Sequence, residues 1–171
     1  MKIQAQEQVT IHVLMVCLGN ICRSPTAHGV MVKCIENKGL SDYIKVDSAG
    51  TGDYHIGASP DRRAIEVAAA RGYSLQAFKA RQVEASDYPR FNYILAMDRT
   101  NLTELRARCP RAHLPKLQLL LDYGQSSHES VPDPYYSGAA GFQLVLDLVE
   151  EACERLLEHI CHQHFPAPRA Q

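Results

Sequence analysis

The chain contains no apolar run near the ~18–20 residues needed for a membrane span, and it has no internal repeat or low-complexity linker. Its six cysteines (Cys17, Cys22, Cys34, Cys109, Cys153 and Cys161) include no C-x2-C pair, which argues against zinc-ribbon or thioredoxin-type chemistry. Excess charge is also missing: the formal net charge is −1, with 22% charged and 46% hydrophobic residues, a balance that excludes general nucleic-acid binding and disorder. No metal or cofactor is expected. His159, His162 and His164 are close in sequence, but they fall on a C-terminal stretch read as too loosely held to preorganise a metal.

One stretch carries chemistry. In Val16-Cys17-Leu18-Gly19-Asn20-Ile21-Cys22-Arg23-Ser24-Pro25, a cysteine is followed at a fixed interval by an arginine and a serine. The apolar run Ile11 to Val16 precedes it as a strand, and a helix pattern begins at Pro25. The loop therefore lies between a strand and a helix N-terminus. Gly19 and Asn20 tolerate the left-handed conformations of a tight curl. Such a curl turns successive N–H groups inward as a nest for an anion, and the helix dipole adds to it. Arg23 returns at the end of the curl with a planar fork suited to two phosphoryl oxygens. A free thiol near pKa 8.5 is only ~3% thiolate at pH 7, but thiols beside arginine at a helix N-terminus fall at roughly 3.5–7.5. Cys17 is thus expected to act as a thiolate nucleophile beneath a bound oxyanion.

The remaining elements alternate. After the first helix, which ends near Gly39, a strand is expected over Ile44 to Asp47, with Ser48-Ala49-Gly50-Thr51 turning the chain. Ser24 with Pro25, and Ser59 with Pro60, read as cap-plus-proline helix starts. Asn92 to Met97 and Leu117 to Leu121 read as strands, and Asp98 as the cap of the helix carrying Leu102 and Leu105. From about Ala139, apolar residues recur at Phe142, Val145, Leu146, Val149, Cys153, Leu156 and Ile160, the spacing of one long amphipathic helix. This order predicts a single-domain α/β fold with a central parallel sheet of about four strands and helices on both faces. The phosphate-binding loop follows strand one. The domain is expected over residues 9–161, with residues 1–8 a flexible N-terminus and 162–171 a flexible tail. Lys and Arg outnumber Asp and Glu by eleven to six over residues 60–116, whereas acidic residues prevail by eight to two over 117–171. An acidic helix face explains this, and a basic rim near the anion site is the alternative.

Cys17-Leu-Gly-Asn-Ile-Cys-Arg-Ser-Pro25 resembles the signature loop of the low-molecular-weight protein tyrosine phosphatases. Ser48-Ala49-Gly50-Thr51, Lys79-Ala80-Arg81-Gln82 and Val131-Pro132-Asp133-Pro134-Tyr135-Tyr136 resemble the same family, in order over roughly residues 11 to 160. The resemblance implies hydrolysis of phosphotyrosine and small aryl phosphates through a phosphocysteine. Cys17, Arg23 and Asp133 would be catalytic, and Leu18, Gly19, Asn20, Ile21, Cys22, Ser24, Tyr54 and Tyr136 would bind substrate. Asp133 stands where the family keeps its general acid, and the flanking prolines hold it out of helical geometry. Ser24 is a candidate hydrogen-bond donor to the Cys17 thiolate, and Asn20 a lock on the curl. Cys22 is implied as a redox partner of Cys17. The chain departs from the family in two places: His28 stands where many members carry Glu, and Phe78 where animal-type members often have a histidine that supports the loop. The implied partner is a phosphotyrosine-containing protein, with neither nucleic acid nor membrane involved. The sequence leaves open whether the chain is a monomer or a weak dimer. Without a signal peptide, a cytoplasmic setting with reduced thiols is the default.

Two other functions fit parts of this pattern. An arsenate reductase on a similar fold would need relay cysteines near residues 80–95, but none occurs between Cys34 and Cys109. A non-catalytic phosphate-binding module would not require Cys17, Arg23 and Asp133 together.

Overall fold

A computed structural model describes residues 9–166. Four strands form one parallel sheet: β1 (Ile11–Cys17), β2 (Ile44–Gly50), β3 (Tyr93–Ala96) and β4 (Leu117–Leu119), in the order β2-β1-β3-β4. The helices are α1 (Arg23–Asn37), α2 (Arg62–Ala70), the single-turn α3 (Asp87–Arg90), α4 (Arg99–Arg108) and α5 (Gly138–His164). The strand order reverses at β1, which has a neighbour on each side. In an open parallel sheet this reversal opens a crevice at the carboxyl ends of the strands. Cys17 is the last residue of β1 and lies at that crevice.

β1 is buried because helices cover both sheet faces. Alternation along the strand sends Val13 and Met15 into a core with Val30 and Met31 of α1 and Val149 and Leu156 of α5. Leu14 and Val16 enter a second core with Tyr88, Phe91 and Leu102 on the opposite face. The near-continuous hydrophobic run of this strand therefore serves two cores at once. Among the described residues, no helix is long and apolar enough to cross a membrane.

Several local expectations are corrected. Ser48, Ala49 and Gly50 continue β2 rather than turning the chain, because each pairs with β1 up to Cys17↔Gly50. The helix after Ser59-Pro60 starts at Arg62, and its cap is Asp61, whose Oδ1 accepts the Arg63 N–H at 2.8 Å. α1 starts at Arg23 with no side-chain cap, which frees Ser24 for another contact. Pro25 still falls in the first turn, where its missing N–H removes no helical bond. The last strand stops at Leu119 and passes into a 3-10 turn over Leu120–Tyr123. α5 continues to His164, beyond the expected domain end at residue 161. There Nε2 of His164 meets the Tyr93 hydroxyl at 2.8 Å, and Phe165 packs edge-on to Tyr43. The expected N-terminal segment 1–8 and residues 167–171 lie outside the described residues.

His28 and Phe78 pack as a pair. Their rings stack with centroids 3.8 Å apart and planes within 7°, and the His28 Nδ1 lies 3.0 Å from the Ser48 hydroxyl. Burial lowers the His28 pKa to about 4, against weaker opposing effects from Asp47 and the Val46 backbone. The unfolded chain takes up this proton near pH 6.5 and the native state does not. The His28 contribution to stability is therefore fully present above about pH 6.5 and is lost as pH falls toward 4, by up to about 3 kcal/mol. Urea unfolding of wild type and His28→Gln at pH 7 and pH 4.5 tests this. The variant should lose less stability on acidification, and equal losses would show that His28 does not set the slope.

Candidate active site

The loop from Leu18 to Cys22 is shaped by where its carbonyls go. The Cys17 and Leu18 carbonyls accept the N–H groups of Thr51 and Gly52, each at 2.9 Å. The Ile21 carbonyl accepts the Asp61 N–H at 2.7 Å, and the Cys22 carbonyl accepts both the N–H and the hydroxyl of Thr26. With these carbonyls bound to the surrounding chain, the N–H groups of Leu18, Gly19, Ile21 and Cys22 have no backbone acceptor among the described residues. They form the donor set of an anion nest. Asn20 makes the sharp bend, with φ of 56°, the left-handed region that asparagine tolerates.

Cys17 is 3% exposed, and two donors reach its sulfur. The Asn20 N–H approaches Sγ at 3.3 Å and the Ser24 hydroxyl at 3.0 Å. The direction of the second bond follows from its neighbours. Asn20 Oδ1 accepts the Arg81 N–H at 3.1 Å, so its Nδ2 donates to Ser24 Oγ at 2.7 Å. Ser24 Oγ, already an acceptor, keeps one proton to give, with Sγ at 3.0 Å as its nearer acceptor and the Ala49 carbonyl at 3.5 Å as the farther one.

Arg23 is 4% exposed, an expensive position for a charge without partners. Its Nη1 donates to Asp98 Oδ2 at 2.6 Å and to the Val131 carbonyl at 3.1 Å, while Nη2 lies 3.8 Å from Asp133 Oδ2. Burial alone would lower its pKa, but the nearby Cys17, Asp98 and Asp133 outweigh that and raise it. Asp98 also caps α4, with Oδ1 accepting the Asn101 N–H at 2.7 Å. The segment carrying Asp133 is anchored at Val131, whose N–H meets the Met97 carbonyl at 2.8 Å. Asp133 remains half exposed and faces the same pocket as Cys17.

That pocket has a volume of about 340 Å³, within the range of small-ligand sites. Cys17, Leu18, Gly19, Ile21, Cys22 and Arg23 line its floor, and Asp133 borders it. Tyr54 and Tyr136 stand at the mouth, 72% and 94% exposed. Asn20 and Ser24, expected among the substrate-binding residues, are absent from the residues that line this pocket. Both are buried, with Asn20 N–H and Ser24 Oγ directed at the sulfur rather than at the opening. His55 and Tyr135 also line the pocket, and sequence reasoning missed both. It also missed the Asp98–Arg23 pair, although a capping aspartate just past a parallel strand lies at the edge where such sheets bind ligands. Arg63 adds a further link: it forks onto Asp61 while lying over the Tyr135 ring, 5.4 Å from its centroid.

Residues 12–165 match the family model described as low molecular weight phosphotyrosine protein phosphatase. A low molecular weight protein-tyrosine-phosphatase of Bacillus subtilis is 43% identical over 151 residues, covering 88% of this chain and 96% of that protein. The low molecular weight phosphotyrosine protein phosphatase of Sus scrofa is 38% identical over 156 residues, covering 90% of this chain and 98% of that protein. The crystal structure of a protein tyrosine phosphatase from Entamoeba histolytica superposes with a TM-score of 0.88 at 42% identity. That alignment covers 90% of this chain and 99% of that one.

Gly50 tests the geometry of the nest. A Cβ there would meet the Leu18 carbonyl oxygen at 2.6 Å and the Asn20 nitrogen at 3.3 Å, both backbone atoms that cannot swing aside. Gly50→Ala should cost about 1–3 kcal/mol in stability and displace the loop. Calorimetric titration with inorganic phosphate should show clearly weaker binding. Unchanged affinity in the alanine variant would mean that the loop does not hold the anion.

Proposed function

The chain belongs to the low molecular weight phosphotyrosine protein phosphatase family, and on that premise we propose that it hydrolyses phosphotyrosine in proteins, and small aryl phosphates, through a phosphocysteine at Cys17. One observation carries this reading: a buried cysteine sulfur with two hydrogen-bond donors, a buried arginine and a half-exposed aspartate converge on one pocket. The loop amides and Arg23 hold the phosphoryl oxygens. Cys17 Sγ attacks phosphorus, the bond to the phenolic oxygen breaks, and Asp133 in its acid form gives that oxygen its proton. Water then attacks the phosphocysteine, Asp133 takes a proton from it, and the sulfur leaves as thiolate. Inorganic phosphate is released. Tyr54 and Tyr136 offer ring faces to the substrate at the mouth.

The substrate partner in this reading is a phosphotyrosine-bearing protein, and the setting is a reducing cytoplasm that keeps Cys17 in its thiol form. Arsenate reduction remains the weaker alternative, because the chain has no cysteine between Cys34 and Cys109 to relay a disulfide.

Cys17→Ser should abolish turnover and retain phosphate binding, and measurable hydrolysis by this variant would exclude Cys17 as nucleophile. Asp133→Asn should lower the rate on phosphotyrosine by roughly 10²–10⁴. The loss should shrink across aryl phosphates with progressively better leaving groups. A constant loss across the series would make Asp133 a structural residue.

Cys22 is the proposed redox partner. Burial, with smaller contributions from Asp61 and Cys17, raises its thiol pKa to about 12. Peroxide converts the Cys17 thiolate to a sulfenic acid, and Cys22 sulfur displaces the hydroxyl as water to close a disulfide. A thiol held this far up reacts through a small thiolate fraction, so closure should accelerate as pH rises. Peroxide inactivation should be reversed by a dithiol in wild type and become largely irreversible in Cys22→Ser. Full recovery of the serine variant would remove Cys22 from this role.

A further inference from the structure

The contact that orients Asn20 comes from far along the chain. Arg81 lies in an extended segment joined to β2 by the parallel bridge Gly50↔Gln82. Its carbonyl accepts the Gly50 N–H at 2.8 Å, and its own N–H donates to Asn20 Oδ1 at 3.1 Å. The side chain fixes this stretch of backbone. Nη1 and Nη2 donate to the two carboxylate oxygens of Asp87 at 2.9 and 3.0 Å, and Nε donates to Asp47 Oδ2 at 3.1 Å. Asp87 is 1% exposed and also accepts the Glu84 N–H at 2.9 Å, so the fork closes on a rigid, buried acceptor. A bidentate pair of this kind constrains geometry far more than an exposed ion pair.

We propose that Arg81 is a positioning residue for the reaction, holding through Asp87 and Asp47 the backbone N–H that aligns the Asn20 carboxamide and, through Ser24, keeps a donor on the Cys17 sulfur. This rests on Cys17 being the nucleophile. The hydrogen-bond directions give the device its effect. While Arg81 N–H occupies Oδ1, Nδ2 donates to Ser24 Oγ, whose one remaining proton has Sγ at 3.0 Å as its nearer acceptor. If the carboxamide swings away, the Ser24 hydroxyl can turn to the Ala49 carbonyl, 3.5 Å off, and Sγ loses one of its two donors. Phe78, shortly before Arg81, stacks its ring on His28 and carries no donor. The Asn20 carboxamide oxygen takes its hydrogen bond from the Arg81 backbone.

The double variant Arg81→Gln/Asp87→Asn removes both charges, so no buried carboxylate is left unpaired. The pH dependence of iodoacetamide capture at Cys17 in the substrate-free enzyme, kcat/KM on an aryl phosphate, and Tm are measured together. Losing a hydrogen bond to a charged group should move the midpoint of the capture curve up by about one pH unit and lower kcat/KM about tenfold. Asp47→Asn, at a partly exposed carboxylate, should act in the same direction and more weakly. In an Asn20→Ala background the double variant should add little, because both act through one carboxamide. An unmoved midpoint, or full additivity with Asn20→Ala, overturns the proposal even if Tm falls. If the double variant does not fold, an unmoved midpoint in Asp47→Asn overturns it alone. A wild-type enzyme that is readily alkylated at Cys17 yet hydrolyses no aryl phosphate would defeat the phosphatase reading while leaving the capture comparison intact.

Discussion

The site depends on one constraint: a five-residue curl in which the Leu18, Ile21 and Cys22 carbonyls are bonded to the surrounding chain, so that its amides can turn inward. Backbone carbonyls cannot be buried without partners, and here the partners come from Thr51 and Gly52 after β2, Asp61 at the cap of α2, and Thr26 in the first turn of α1. Each of these elements is therefore tied to the loop by at least one hydrogen bond. The absence of a Cβ at Gly50 belongs to the same constraint, since the loop crosses β2 at backbone distance. The parallel pairing of β1 and β2 places that glycine beside Cys17.

A second consequence follows from burying a guanidinium. Arg23 is held between Asp98, at the end of β3, and the Val131 carbonyl, and Val131 is itself bonded to Met97. The group that would grip phosphoryl oxygens is thus fastened to the chain that carries Asp133. Arg23, Val131 and Met97 link the loop to the segment that carries Asp133. Asp133 itself stays half exposed, open to the pocket and to water.

The rim is built differently from the floor. Cys17, Cys22 and Arg23 of the floor are buried, whereas Tyr54 and Tyr136 project into solvent. Rigid chemistry beneath an exposed aromatic mouth suits a substrate whose phosphate is constant and whose flanking chain varies. His28, stacked on Phe78, has its pKa pushed down to about 4 by burial and is neutral at pH 7.

The sequence alone determined whatever depends on local spacing. The cysteine-to-arginine interval between a strand and a helix announced the anion loop, and the alternating elements announced a parallel sheet. Pro132 and Pro134 marked Asp133 as lying outside a helix, as it does. Short-range signals also misled: Ser24 and Ser59 look like helix caps, but Ser24 is drawn to the sulfur, and Asp61, bonded to the loop, takes the place expected for Ser59. Likewise Ser48 to Gly50 read as a turn, until pairing with β1 holds them extended. Only the tertiary structure decided which distant charges meet. Asp98 reaches Arg23 across 75 positions, and Arg81 reaches Asn20 across 61, because the order β2-β1-β3-β4 gathers the strand ends on one edge. No periodicity or spacing in the chain encodes those pairings. They follow from burial, which leaves each charge or carboxamide only the partners that the fold brings within hydrogen-bond reach.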